Sequence, residues 1–305
     1  MVEKSGPVRT FSYHYRKKYG HGVGKVPLDV GVVCPNRARG GCIFCRPSSF
    51  TPSYLDSKDD LKSQLASGKK SLLKGRFKKY LAYFQQETCT VLPREKLLDH
   101  FAIPLVDPDC IGLIVSTRPD CVDKTLLVVL AELVLQHDKE CLIELGIQSV
   151  HENSLALLNR NHGFADFVST ANLVKSFDCF ELGAHLILGI PGETVGDMIR
   201  SLETVCSFQV DALKLHHLQV IKGTPLEKRY LRREVAVFSL EDYLVLLTQL
   251  LPRIPARVTL HRLWATSHPD LLVAPRWNVL ASDLSRRLVA MMKDEGVWQG
   301  KYAPY

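Results

Sequence analysis

Three cysteines, Cys34, Cys42 and Cys45, fall within VVCPNRARGGCIFCRPSSF, residues 32–50. A Cys-x2-Cys pair sets two thiolates on one metal site, and Gly40 and Gly41 leave the loop free to curl Cys34 toward them. Two kinds of centre suit three thiolates. A structural zinc takes four ligands, and no second Cys-x2-Cys or nearby His-x3-His spacing supplies the fourth; His21 and Cys89 are the available candidates. A cubane iron–sulfur cluster normally takes four cysteines, so three leave one iron open to another ligand. That is a catalytic arrangement, by the logic of an open zinc site.

The other chemistry-bearing residues are more dispersed. Glu144 is a carboxylate inside the apolar run CLIELGI, which is costly unless it meets a ligand or a lysine. Lys214 and His216 stand two apart in ALKLHHL and so share one face of a strand. Facing a barrel interior they would contact substrate or a cofactor carboxylate; a satisfied core histidine is the competing reading, as it is for His185. Arg118 and Asp120 read as a structural ion pair. The remaining six cysteines, at 89, 110, 121, 141, 179 and 206, form no Cys-x2-Cys group and read by default as buried inert thiols; Cys89 and Cys121, which follow the second and third strands near the expected rim, leave a catalytic thiol open. The GHGVG at 20–24 has the look of a phosphate loop but no strand before it, and is discounted.

The elements that must position these residues alternate. Apolar strands are expected at 28–33, 79–84, 111–115, 141–147, 182–188 and 212–218, with helical periodicity near 59–74, 93–101, 123–136, 164–177 and 194–207. Thr194 with Asp197 three residues on marks a helix start. Repeated strand-then-helix units imply a parallel sheet with right-handed crossovers, either doubly wound or a full or partial β/α barrel. Polar residues or glycine at the strand ends (Cys34, Gln85, Thr117, Gln148, Gly189, Gln219) favour the barrel, where working residues gather at that rim. Beyond 225 the alternation weakens to a helix near 239–251 and a strand at 257–263. The expected division is an N-terminal extension over 1–27, a core over 28–225 and a C-terminal extension over 226–305 packed on the core.

The composition, 46% hydrophobic and 23% charged in 305 residues, is that of a globular α/β chain. The N-terminus lacks an apolar signal core and no run is long enough to span a bilayer, so a cytoplasmic protein without membrane contact is expected; nine mostly scattered cysteines suit a reducing compartment. The formal charge is +7, concentrated in 68–79 (six of twelve residues Lys or Arg) and 222–233 (five of twelve). Such runs are usually solvated faces, but they favour polyanionic partners.

The sequence resembles the radical S-adenosylmethionine (SAM) enzymes. Cys42-Ile43-Phe44-Cys45 matches the second half of their Cys-x3-Cys-x-aromatic-Cys motif, while the first interval here is seven residues. ELGIQS at 144–149 with Leu157, Arg160 and His162, HLILGIPGET at 185–194 and KLHHLQVIKGT at 214–224 are similar to segments of the branch containing coproporphyrinogen dehydrogenase and the elongator catalytic subunit. CPNR, GGCIFC, KYLAYFQ, STRPDC, ELGIQS and IKGT together resemble the YhcC-like radical SAM proteins, which also have a long first cysteine interval. The resemblance spans roughly residues 11–265.

It implies an α/β fold of the partial (β/α)6 TIM-like barrel type and an enzyme with two cofactors, a [4Fe–4S] cluster and SAM. Cys34, Cys42 and Cys45 would hold the cluster, with SAM chelating the open iron through its amino and carboxylate groups, and reductive cleavage of SAM would yield a 5′-deoxyadenosyl radical. Phe44 would pack on the adenine, Gln85 would serve the amino end of SAM, and Glu144 and Gln148 its ribose or amino group. Gly189 would let the backbone approach the adenine, while Lys214 and His216 would be catalytic or substrate contacts. An electron donor such as ferredoxin or flavodoxin is implied, and tRNA is the expected substrate class. The rival reading is a non-catalytic iron–sulfur or zinc protein binding nucleic acid; an electron-transfer module is a further one.

Overall fold

The structure, a computed structural model, describes residues 6–56 and 58–304. The first five residues of the expected N-terminal extension, with Ser57 and Tyr305, lie outside the described residues. Six parallel strands follow one another in chain order: β1 (Val23–Leu28), β2 (Lys79–Phe84), β3 (Cys110–Thr117), β4 (Glu140–Gln148), β5 (Glu181–Leu188) and β6 (Ala212–His217). Past β6 lies an antiparallel pair, β7 (Val220–Ile221) and β9 (Leu272–Ala274). Between them in the chain, β8 (Thr259–Arg262) returns to the main sheet and pairs in parallel with β6 as a seventh strand. The strand expected at 257–263 therefore belongs to the barrel.

Side-chain alternation makes the two faces. On β4, Cys141, Ile143, Leu145 and Ile147 enter the large core under the helices, while Leu142 and Glu144 point the other way. The same period puts Leu81 and Tyr83 of β2, and Ala212 and Lys214 of β6, on the inner face. The sheet curls into a half-barrel: Lys25 Nζ on β1 lies 3.1 Å from His261 Nδ1 on β8, so the two outermost strands meet across the interior.

Helix α1 (Phe11–Tyr19), capped by the Thr10 hydroxyl, plugs the N-terminal mouth with Tyr15, Phe11 and Tyr19. Outside the sheet pack α2 (Leu61–Gly68), α3 (Arg94–Leu105), α4 (Lys124–Gln136), α5 (Glu152–Leu157), α6 (Phe164–Lys175) and α7 (Val195–Ser207). Thr194 caps α7 with the reciprocal Asp197 contact expected of it. Three more, α8 (Pro225–Leu231), α9 (Leu240–Leu250) and α10 (Ala281–Asp294), follow the sixth strand.

One strand differs from expectation. The first is Val23–Leu28, not 28–33, so the sheet begins inside residues assigned above to the N-terminal extension. Pro27 argues against a strand in sequence, but β1 is an edge strand paired only with β2, where a missing N–H is tolerated. The apolar run 28–33 is broken by Gly31 at φ 74 and becomes the loop that delivers Cys34.

Candidate active site

The rim loop after β1 is held from outside itself. Gly40 and Gly41 take φ 90 and 71, a conformation that favours glycine, and turn the chain back between Cys34 and Cys42. Ile43 N–H donates to Leu158 O at 3.1 Å, and Asn159 Nδ2 donates to Gly41 O at 2.7 Å and Arg39 O at 3.0 Å. Asn36 Nδ2 donates to Asn159 O and accepts Asn161 Nδ2 on its own oxygen, both at 2.7 Å. The loop between α5 and α6 thus clamps the cysteine loop.

Cys34, Cys42 and Cys45 border one cavity of about 120 Å³. Nitrogen donors turn toward the sulfurs: Asn36 Nδ2 is 3.3 Å and Arg160 Nη1 3.2 Å from Cys42 Sγ, and Arg37 Nη2 is 3.8 Å from Cys45 Sγ. Glu87 holds Arg37 at 3.1 Å and accepts the Cys34 N–H at 3.2 Å. Burial pushes the Cys45 thiol up to about 12, with Cys42 adding to it and Arg37 pulling the other way. A free thiol here is a poor nucleophile, whereas a metal deprotonates a coordinating thiol outright. Among the described residues no three His, Cys, Asp or Glu side chains converge on a point that would hold a single metal ion. The donor set, three thiols spread around one cavity with N–H groups aimed at sulfur, fits a polynuclear thiolate-ligated group.

This cavity opens into a larger one of about 610 Å³; Cys45, Phe50, Ser116, Gln148, Arg160 and His185 border both. The larger wall carries Phe44, Gln85, Gln148 and His216 of the expected site residues. Gln148 sits at φ 75 after a register irregularity between Leu145 and Gln148, an uncommon conformation for a non-glycine residue that aims it at both cavities. Gln219 borders the larger cavity, and Thr117 the smaller.

Glu144 and Lys214 border neither cavity. They form the layer beneath, where Lys214 Nζ donates to Glu144 Oε2 at 2.6 Å and to the Tyr83 hydroxyl at 2.5 Å. His185 Nε2 reaches the same carboxylate at 3.1 Å and His261 Nδ1 at 3.3 Å. Gly183 makes the room, since a Cβ there would lie 2.9 Å from Glu144 Cγ. Burial opposes the Glu144 charge, but Lys214 and then His185 outweigh it and hold the carboxyl well below its usual range. Burial draws Lys214 down to about 8 against the pull of Glu144. Burial, then Lys25, depresses His261 to about 3; its neutral Nδ1 serves either Glu144 or Lys25 at one time. The lysine partner that Glu144 needs is therefore Lys214, and the pair lies under the floor.

Gly189 also stays off the cavity walls. It takes φ 86, and a Cβ there would meet Phe238 Cε2 at 2.7 Å, so close ring packing and backbone conformation together require glycine. Arg118 pairs with Asp120 at 2.8 and 2.9 Å and donates to Arg160 O at 2.8 Å; the ion pair is structural, and its Arg118 member also borders the thiol cavity. Sequence reasoning flagged Arg160 only within a motif. It missed Arg262 and the 265–268 segment, which carry no periodic or spacing signal.

The two basic runs separate. Residues 68–78 precede β2 and lie at the N-terminal end of the barrel, whereas 222–233 follow β6 at the C-terminal rim, where Arg46 Nη1 donates to Lys222 O at 2.7 Å. Lys69 is paired with Asp107, and Arg229 and Arg232 with Glu234.

A parallel half-barrel with a three-cysteine loop on its rim defines the class of radical SAM enzymes. Residues 210–293 match the Radical_SAM C-terminal domain. Protein YhcC of Escherichia coli is 34% identical over 274 residues, 88% of this chain and 87% of its own. The tRNA uridine(34) acetyltransferase of Methanocaldococcus infernus is 28% identical over 137 residues, 44% of this chain and 24% of its length. The solved Elp3 of that archaeon superposes with a TM-score of 0.66 at 18% identity, over 92% of this chain and 64% of that one. The chain belongs to the YhcC-like radical SAM proteins, and membership implies a [4Fe–4S] cluster, SAM and a reductant. Among the described residues no helix is long and apolar enough to cross a membrane.

Proposed function

We propose that the protein binds a [4Fe–4S] cluster through Cys34, Cys42 and Cys45 and cleaves SAM reductively to act on an RNA substrate, tRNA. The observation that carries the first half is the common cavity of the three thiols, open to a polar cavity at the barrel rim. When bound, the cluster supplies the electron that splits the sulfonium of SAM into methionine and a 5′-deoxyadenosyl radical. Phe44 covers the adenine, Gln85 and Gln148 offer SAM amides that have no partner among the described residues, and Arg160 and Asn36 stabilise sulfur charge. His216 lies on the substrate side, while Glu144 and Lys214 act from beneath as positioning residues. The core over 28–225 and the extension over 226–305 work as one unit in this reading, because β8 completes the wall. Anaerobic reconstitution with iron and sulfide, followed by reduction with dithionite in the presence of SAM, is expected to release 5′-deoxyadenosine. A reconstituted protein that produces none refutes the reading.

The RNA half is supported by the rim position of 222–233 and by the named activity of the archaeal relative. Neutralising Lys228, Arg229, Arg232 and Arg233 is expected to weaken tRNA binding and to flatten the slope of log K against log salt by up to about 3.6, at about 0.9 for each phosphate no longer neutralised on a duplex-like stem. Neutralising Lys70, Lys74, Arg76 and Lys78 at the opposite end is expected to change neither. A slope untouched by the rim variant would make that run a solvated face and point to a small-molecule substrate.

A further inference from the structure

The wall of the larger cavity carries three arginines, Arg46, Arg160 and Arg262, and no aspartate or glutamate. Arg46 donates to Lys222 O and Ser48, and Arg160 to Gly146 O and Cys42 Sγ. Arg262 differs from both: it is part-buried, yet its guanidinium has no ion pair or hydrogen bond among the described residues. It reaches the cavity because β8 holds an extra residue against β6. Leu213 pairs with Leu260 but Lys214 pairs with Arg262, so His261 and Arg262 both turn toward the interior.

Next to it stands His216, whose buried Nε2 has no partner either among the described residues. After burial, the Arg262 charge is the strongest influence on that ring, and holds it neutral. A neutral imidazole with Nε2 protonated is a hydrogen-bond donor. Below them, Glu144 is the carboxylate of a layer that also holds Lys25 and Lys214, and its oxygens are engaged by Lys214, His185 and His261. Among the described residues nothing in this part of the barrel balances Arg262. A part-buried unpaired cation is costly unless an anion meets it.

We propose that Arg262, with His216 beside it, forms a subsite for an oxyanion of the substrate itself, a phosphate or a carboxylate. The inference rests on the radical SAM reading of the cavity. In that reading the carboxylate of SAM belongs at the open iron, and Arg262 does not border the thiol cavity, where Arg37, Arg118 and Arg160 stand. The anion that Arg262 awaits is therefore a second one. A guanidinium offers paired N–H donors suited to either oxyanion.

The test measures binding of inorganic phosphate and, separately, acetate to anaerobically reconstituted wild type and to Arg262→Gln, Arg262→Lys and His216→Asn, with SAM binding and thermal unfolding beside them. At least one anion is expected to bind wild type and to lose roughly tenfold to hundredfold in affinity in Arg262→Gln. Arg262→Lys should lose less than that, His216→Asn should also weaken the anion, and all three should keep wild-type SAM affinity. The anion held more tightly by wild type assigns the substrate group. Wild type that binds neither anion, or variants that bind them unchanged, overturns the subsite. So does a parallel loss of SAM affinity, which would give Arg262 to the cofactor. If Arg262→Gln does not fold, the lysine and His216 variants decide. Absence of SAM cleavage by wild type, with Arg262-dependent anion binding intact, would refute the radical SAM reading and leave the subsite standing.

Discussion

Alanine at Cys34, Cys42 or Cys45 is expected to take bound iron from near one cluster per chain to near none, with loss of the broad visible absorption. Each sulfur is one of three around the same cavity, so each substitution leaves two ligands for a group that needs at least three. Among the described residues no fourth cysteine borders either cavity. Cys89 is buried and turned toward Ser116 O, and it borders neither cavity. The loop itself should survive, because its backbone is held by Leu158, Asn159 and Asn36, not by the sulfurs. Iron analysis and visible spectroscopy of the three variants, with circular dichroism as a folding control, check this. A full complement of iron in all three, or stoichiometric zinc in the wild type, would sink the assignment.

Glu144→Ala is expected to destabilise the fold by about 3–5 kcal/mol, the usual cost of stranding one partner of a buried pair. Lys214 is 3% exposed and would keep only the Tyr83 hydroxyl. Lys214→Met should cost a similar amount, since Glu144 at 1% exposure would keep two imidazoles that burial holds neutral. The double variant Glu144→Ala with Lys214→Met removes both charges and should recover much of the loss. Urea unfolding of the single and double variants measures the coupling; additive losses would mean that the pair is not a unit.

The same carboxylate gives a pH signature. Its folded pKa lies below the ordinary 4.5, so the unfolded chain binds the proton more readily. The stabilisation is complete above about pH 4.5 and is lost as pH falls toward the folded value. Glu144→Gln should therefore show a flatter acid limb than wild type. Because the pair lies under the floor, SAM affinity in a folded Glu144→Gln chain should change less than stability does.

The β/α alternation, the capped start of α7 and the thiol loop were all legible in the chain, because each depends on a few neighbouring residues. A strand's period of two put Lys214 and His216 on one face before any fold was known, and that face proved to be the interior. The first strand lies at Val23–Leu28 and not at 28–33: Pro27 is unfavourable in a paired strand and harmless on an edge, and an edge exists only in a sheet. Arg160 could not be matched to Cys42, 118 residues away, until the loop before α6 met the loop after β1. Glu144 asked for a lysine, but which lysine depended on the curl that brings β4, β6 and β8 together. The inward turn of Arg262 came from one extra residue against β6, and the separation of the basic runs from the direction in which the strands run. Local periodicity and covalent spacing are written in the sequence itself; partners far apart in the chain are chosen by sheet register and closure, which no single segment encodes.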